Sequence, residues 1–214
     1  QFGFGATIDF DDVTHKGITN ISTDDVAVAQ ELGYVIKLVG DVREVESGIS
    51  AEVSPTFLPK NHPLASVNDV MNAVFVESIG IGESMYYGPG AGQKPTATSV
   101  LADIIRIARR LSDGNVGKPF NEFRRDLPLA NPADVKSNYL DTPDEKGKIL
   151  HLSEIFNSED ISFEQVLQQK ANGTTARIVV ITHAMSKTQL QAVTEKLEAA
   201  EDFTVVNTLK VLSN

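Results

Sequence analysis

The chain has 214 residues, is 41% hydrophobic and carries a formal net charge of -10, with a sequence pI near 4.8. That acidic balance argues against nucleic acid or a membrane surface as partner, because affinity for phosphates comes from Lys and Arg; the absence of Cys removes disulfides, iron–sulfur clusters, thiolate zinc sites and cysteine nucleophiles together. No window reaches the roughly 18 apolar residues of a membrane span and no basic-then-apolar leader opens the chain, so a cytoplasmic, reducing location is expected.

Gln1-Phe2-Gly3-Phe4-Gly5 has no initiator Met and reads like the interior of a fold, so a piece of something longer is expected. From Phe10 to Gly33 the pattern predicts two short helices. Asp9 and Asp12 suit caps, Val26, Ala29 and Leu32 fall at helical spacing after Thr23-Asp24-Asp25, and Gly33 is a stop. From Tyr34 to Gly88 the period changes to two. Strands are expected at Val35–Val39, Ile49–Phe57, Ala73–Val76 and Ser84–Tyr87, with turns at Ser47-Gly48 and Gly80-Ile81-Gly82 and a proline-rich loop between Pro55 and Pro63. This predicts an antiparallel sheet of about four strands with one face covered.

Gly88-Pro89-Gly90-Ala91-Gly92 and Pro95 then lead into a helix expected over Thr96–Leu111. Its apolar stripe is Val100, Leu101, Ile104, Ile105 and Ala108, and Arg106, Arg109 and Arg110 sit toward the end where cations suit the helix dipole. Residues 112–135 lose all period and read as a linker.

From Lys136 the order is a short strand at Asn138-Tyr139-Leu140, a corner through Asp141 to Gly147, and a helix bearing Leu150, Leu152, Ile155 and Phe156. A strand at Ile161–Lys170, an Asn172-Gly173 hairpin turn and a strand at Arg177–Thr182 follow. Ser186 with Gln189 forms a capping box for a helix with Leu190, Val193 and Leu197 on one face, and Phe203 to Val211 closes the unit. The order βαββαβ is ferredoxin-like. The class expected is α+β: an antiparallel or mixed sheet covered by helices over residues 1–111, a linker over 112–135, and the βαββαβ unit over 136–214.

The segment Gly88–Thr96 is the one that looks like chemistry. Glycines let backbone approach a ligand, and the following helix offers unpaired N–H groups to an anion. It is neither a Walker A loop, since Pro95 follows Lys94, nor GxGxxG, so a ligand-facing loop and a plain tight turn both stay open. His15, His62, His151 and His183 share no metal-ligand spacing, and no metal site is expected. Lys37, inside an apolar strand, is either a solvated lysine or a pKa-shifted one. Asp24-Asp25 is better read as capping than as acid–base chemistry. Glu77 and Glu83 approach across a hairpin without a partner for catalysis. The corner Asp144-Glu145-Lys146-Gly147 is either a plain connection or a seat for the charged ends of an amino acid.

Three stretches, Gly17-Ile18-Thr19 through Leu32-Gly33-Tyr34 to Gly40, His62-Pro63-Leu64-Ala65 with Asn72–Val76, and Tyr87–Gly92 with Pro95-Thr96-Ala97, together resemble the bacterial homoserine dehydrogenases that carry an ACT module. The tail from Lys136 is similar to that module. The resemblance implies an NAD- or NADP-dependent oxidoreductase interconverting L-homoserine and L-aspartate 4-semialdehyde, in threonine and methionine biosynthesis. It implies a substrate and dimerisation domain over 1–111 and an ACT domain over 136–214. The family's Gly-rich nucleotide half and its catalytic Asp and Lys are expected upstream of Gln1, so no catalytic residue is carried onto this chain and the fragment is expected to be inactive alone. Lys37 does not match the catalytic lysine. Gly88, Gly90 and Gly92 match the loop near the nicotinamide end of the cofactor, and Asp144 and Gly147 match the effector corner, although Pro143–Gly147 is longer than the usual Asp-x-x-Gly turn. A homo-oligomer, dimer or tetramer, and an amino-acid effector such as threonine are the implied partners. The alternative is a stand-alone amino-acid-sensing and dimerisation module without catalysis.

Overall fold

A computed structural model describes residues 1, 3–115, 125–143, 149–170, 176–200 and 205–212. Its elements are β1 (Thr14–His15), α1 (Thr23–Glu31), β2 (Tyr34–Val45), β3 (Gly48–Pro59), β4 (Met71–Ser78), β5 (Gly82–Pro89), α2 (Gln93–Ser112), β6 (Lys136–Pro143), α3 (Ile149–Asn157), β7 (Phe163–Lys170), β8 (Ala176–Thr182), β9 (Met185–Ser186), α4 (Lys187–Ala199) and β10 (Val205–Val211). They group into two compact units. Gln1–Lys60 folds with Phe123–Asn214, and Asn61–Glu122 stands as the other.

In the larger unit, β2 and β3 form a hairpin paired along the whole length of both strands, from Tyr34↔Pro59 to Val45↔Gly48. The other edge of β3 is shared by β1, in parallel, and by β10, also in parallel. From β10 the sheet runs on through antiparallel neighbours in the order β10-β6-β8-β7. That is the strand order of a βαββαβ unit, as its element sequence leads one to expect.

Two helical layers cover this sheet. On one face α1 sets Val28 and Ala29 against Phe57, Val179, Ile181, Leu209 and Val211. On the other, α3 and α4 bring Leu152, Ile155, Phe156, Val193 and Leu197 against Tyr139, Ile178 and Val180. Strand β8 is thus buried on both faces, which explains its unbroken apolar run Ile178-Val179-Val180-Ile181. Each such side chain contributes about 1.5–3 kcal/mol when removed from water. Ser186 and Gln189 cap α4 reciprocally, and Ser22 and Asp25 do the same for α1.

The smaller unit holds the β4–β5 hairpin, paired from Met71↔Pro89 to Ser78↔Gly82, and α2. His62 caps the short 3-10 turn Pro63–Ser66, accepting from the Leu64 N–H at 3.2 Å, and its ring packs on Phe75. Helix α2 buries none of its residues, and its stripe of Val100, Leu101, Ile104 and Ile105 is exposed.

Several expectations change here. The four strands between Tyr34 and Gly88 do not make one sheet: β2–β3 belongs to the large sheet, and among the described residues β4 and β5 form a two-stranded sheet of their own. Alternation identifies a strand and its faces but carries no information on its neighbour. The first of the two short helices is a 3-10 turn at Phe10–Asp12. Helix α2 begins at Gln93, ahead of Pro95, which is tolerated because first-turn N–H groups have no helical partner. The two compact units meet at residues 60–61 and 122–123 of the chain. Residues 125–130 already bridge to the first unit through Ala6↔Arg125 and Ile49↔Leu129. No helix among the described residues is long and apolar enough to cross a membrane.

Asp25, 2% exposed, accepts from the Ser22 N–H at 2.8 Å and from the Asn207 side-chain amide at 3.4 Å, joining the start of α1 to β10. Asp25→Ala removes the reciprocal half of the capping box, leaving the Ser22 hydroxyl on the residue-25 N–H, takes that acceptor from Asn207, and is expected to cost about 1–3 kcal/mol. Equilibrium denaturant unfolding measures it; a change under about 0.5 kcal/mol would show that the cap is incidental.

Candidate functional site

Gly88, Gly90 and Gly92 lie together where β5 gives way to α2. Gly88 is paired with Asn72 at the start of β4, and its own Cβ position is open. The Gly90 N–H donates to the Val70 carbonyl at 3.4 Å, and a Cβ on Gly90 would overlap the Asn72 side-chain amide. Gly92 is the N-cap of α2 with φ +129° and, lacking a side chain, makes no side-chain cap hydrogen bond. A left-handed φ there and a packed amide at Gly90 explain why two of the three positions need glycine. The open backbone at Gly88, the N-terminus of α2 without a side-chain cap and Lys94 in its first turn form a surface suited to an anionic or carboxamide group. Asn72 carries no motif of its own in the sequence; its pairing with Gly88 in the hairpin register is the signal that finds it.

A second constellation, with no counterpart among the expected sites, lies on the α4-covered side of the large sheet. Asp41 on β2 and Glu52 on β3 are directly opposite. The ammonium of Lys210 on β10, 5% exposed, hydrogen-bonds to both carboxylates. Asp41 also takes the Arg43 guanidinium at 2.6 and 2.8 Å, and the second oxygen of Glu52 takes Lys187 at 2.7 Å. Arg43 reaches on to the Lys136 carbonyl and the Ser137 hydroxyl, both at 3.4 Å. Burial opposes ionisation of Asp41, but the Arg43 hydrogen bond and the Lys210 charge outweigh it and hold the carboxyl below its ordinary value. For Glu52 burial is likewise overcome, by Lys187 and Lys210. Burial and the charge of Glu52 push the neighbouring Tyr139 hydroxyl up to about 12.

Asp144 and Gly147 lie outside the described residues, as do Asn172-Gly173 and Phe203. Lys37 is half-buried on β2 opposite Thr56, in the larger unit, whereas the glycine loop belongs to the smaller one. Glu77 and Glu83 are cross-strand partners, both exposed. In the βαββαβ unit an open cavity of about 400 Å³ is lined by Ser153, Glu154, Asn157, Ile161, Ser162 and Phe163. Among the described residues no group of His, Cys, Asp or Glu is arranged to hold a metal ion.

The family model for homoserine dehydrogenase matches residues 1–105. The homoserine dehydrogenase of Lactococcus lactis is 57% identical over 217 residues, spanning 100% of this chain and 51% of that protein. The chain belongs to the homoserine dehydrogenase family. The Bacillus subtilis homoserine dehydrogenase is 34% identical, over 94% of this chain and 48% of its own. A crystal structure of a homoserine dehydrogenase from Thiobacillus denitrificans matches with a TM-score of 0.87 and 29% identity, covering 98% of this chain and 50% of that one. The chain therefore spans about half the length of the homoserine dehydrogenases it matches. Those matches run on well past residue 105, so the βαββαβ unit is shared with these family members too.

The carboxylate cluster gives this family member a dependence on acid. Asp41 and Glu52 titrate lower in the folded than in the unfolded chain. Their stabilisation is full above the unfolded values near 4 and is lost as pH falls through the lowered folded values. The thermal midpoint is expected to drop on acidification below about pH 4–5, and less steeply in Glu52→Gln. Parallel melting curves for wild type and Glu52→Gln would contradict this.

Proposed function

We propose that this chain is the substrate-side and regulatory half of an NAD(P)-dependent homoserine dehydrogenase, an oxidoreductase interconverting L-homoserine and L-aspartate 4-semialdehyde on the route to threonine and methionine. In this reading residues 1–111 are part of the catalytic domain, 112–135 a connection and 136–214 an ACT regulatory domain, in a cytoplasmic enzyme. The observation that carries it is the junction of the glycine loop with α2. The loop leaves open space at Gly88, with Asn72 packed on Gly90 and Pro95 beside Gly92, and the helix beyond exposes an apolar stripe that none of the described residues covers. An amphipathic helix of this kind needs an apolar surface to lie on. A nucleotide-binding half, in the part of the relatives' length that this chain does not span, is the surface that fits.

The loop would hold NAD or NADP, which when bound would supply the hydride acceptor. The residues of this chain fit the role of positioning it. The glycines admit the cofactor close to backbone, and the α2 N–H groups with Lys94 favour its polar end. Proton transfer belongs to no residue of this chain. The long outer edge of β2, with Leu38 and Val42 exposed, and that of β7 are unpaired among the described residues. Such edges support a homo-oligomer, dimer or tetramer, built through the sheet.

A second reading, an amino-acid-sensing module without catalysis, is favoured by the cavity beside α3. Glu154, Asn157 and two serine hydroxyls next to Phe163 suit the charged and apolar ends of an amino acid. Threonine is the effector proposed, and Asp144 and Gly147 are proposed as effector ligands on the family resemblance alone, apart from this cavity; heat on titration at millimolar threonine supports the reading, and a flat titration rejects it.

Homoserine-dependent NADPH formation tests the main reading. The chain alone is expected to give none, and clear turnover would overturn the division of labour. In the enzyme completed by its nucleotide-binding half, Gly90→Val is expected to lower kcat/KM by about ten-fold or more. Unchanged kinetics would remove the loop from the site.

A further inference from the structure

The seam between β10 and β3 joins the hairpin of residues 34–59 to the βαββαβ unit, and it is short. Among the described residues, Lys210↔Thr56 and Val211↔Phe57 are paired, with one more hydrogen bond from the Leu212 N–H to the Phe57 carbonyl at 2.9 Å. So few backbone bonds specify register weakly. The two faces of the seam differ sharply in kind. Leu209 and Val211 enter the apolar layer with Phe57, Val28 and Val179, whereas Lys210 meets Asp41 and Glu52. A slip of one residue exchanges the faces. It would drive the Lys210 ammonium into the apolar layer and leave two opposed carboxylates facing Leu209 and Val211, both arrangements being strongly unfavourable.

We propose that Lys210 is a register key that locks β10 onto β3 and so couples the βαββαβ unit to the β2–β3 hairpin. The coupling is carried by named groups on both sides. Asp41, Arg43 and Glu52 belong to the hairpin; Lys210 belongs to β10, Lys187 opens α4, and Lys136 and Ser137 lie on β6. A displacement of β10 or α4 either moves the hairpin with it or breaks these pairs. The proposal is independent of the dehydrogenase reading and of any ligand.

Amide hydrogen exchange on the full chain tests it. Lys210→Met is expected to raise exchange about ten-fold or more in segments 36–43 and 50–58, and to leave α4 and β7 within about two-fold of wild type. Lys210→Arg, which keeps the charge, is expected to restore protection in the hairpin. If Lys210→Met yields no folded protein, Glu52→Gln carries the test, with the same pattern at about three-fold or more. A uniform rise across the whole unit, or no rise in the hairpin, overturns the proposal for either variant.

Discussion

Strand β10 lies between two strands from distant parts of the sequence, parallel to β3 and antiparallel to β6. The larger unit depends on that insertion. Without it the hairpin of β2 and β3 would present one face of Phe57 to nothing, and α1 would lose Leu209 and Val211 from the layer it packs on. The same strand closes the βαββαβ unit through β6. One segment therefore completes the apolar layer under α1, and its residues alternate to match: Leu209 and Val211 enter that layer, and the charged Lys210 takes the other face. Contacts this far apart in sequence close large loops, so this seam is expected to form late in folding relative to the local hairpin.

The smaller unit presents the opposite case. Its hairpin and helix obey the same local rules, with alternation on β4 and β5 and an apolar stripe along α2, yet among the described residues the stripe has no cover. Local pattern made the surfaces, and tertiary burial is what they still need. That agrees with a chain spanning half the length of its relatives. The glycine loop sits at the start of this uncovered helix, which ties the site proposed for the cofactor to the surface proposed for the rest of the enzyme.

Much of this is legible in the amino acids, and the rest is not for a specific reason. Ser186 and Gln189 announce α4, and Asp25 reads as a capping residue, because a cap is written in neighbouring positions. The βαββαβ order is legible for the same reason. Strand pairing is not: period two locates Ile36 and Phe57 on faces but is silent about which edge meets which. The Lys210 cluster is illegible because its members stand at 41, 43, 52, 187 and 210, each a single charge in an otherwise ordinary segment. At the glycine loop, Gly90 and Gly92 are visible as turn formers, whereas Asn72, the side chain that makes Gly90 obligatory, comes from another strand.

The cluster also answers a question of energetics. A buried ion-pair network loses hydration on every member, and apolar residues of equal volume often serve stability as well or better. Stability alone therefore does not account for charges at this place. Position does more. Glu52 lies beside the first residue of α4, where a carboxylate is favoured by the helix dipole and offsets the poor placement of the Lys187 cation there. Asp41 and Glu52 face each other across the hairpin; Arg43 of the same strand offsets Asp41, whereas the cations that hydrogen-bond to Glu52, Lys187 and Lys210, both come from outside the hairpin. The only strand whose side chain enters between them, among the described residues, is β10. Two carboxylates that share the one ammonium of β10 disfavour any register that moves Lys210 off their face. The desolvation cost is thus set against a single outcome, in which the hairpin and the βαββαβ unit meet in one register.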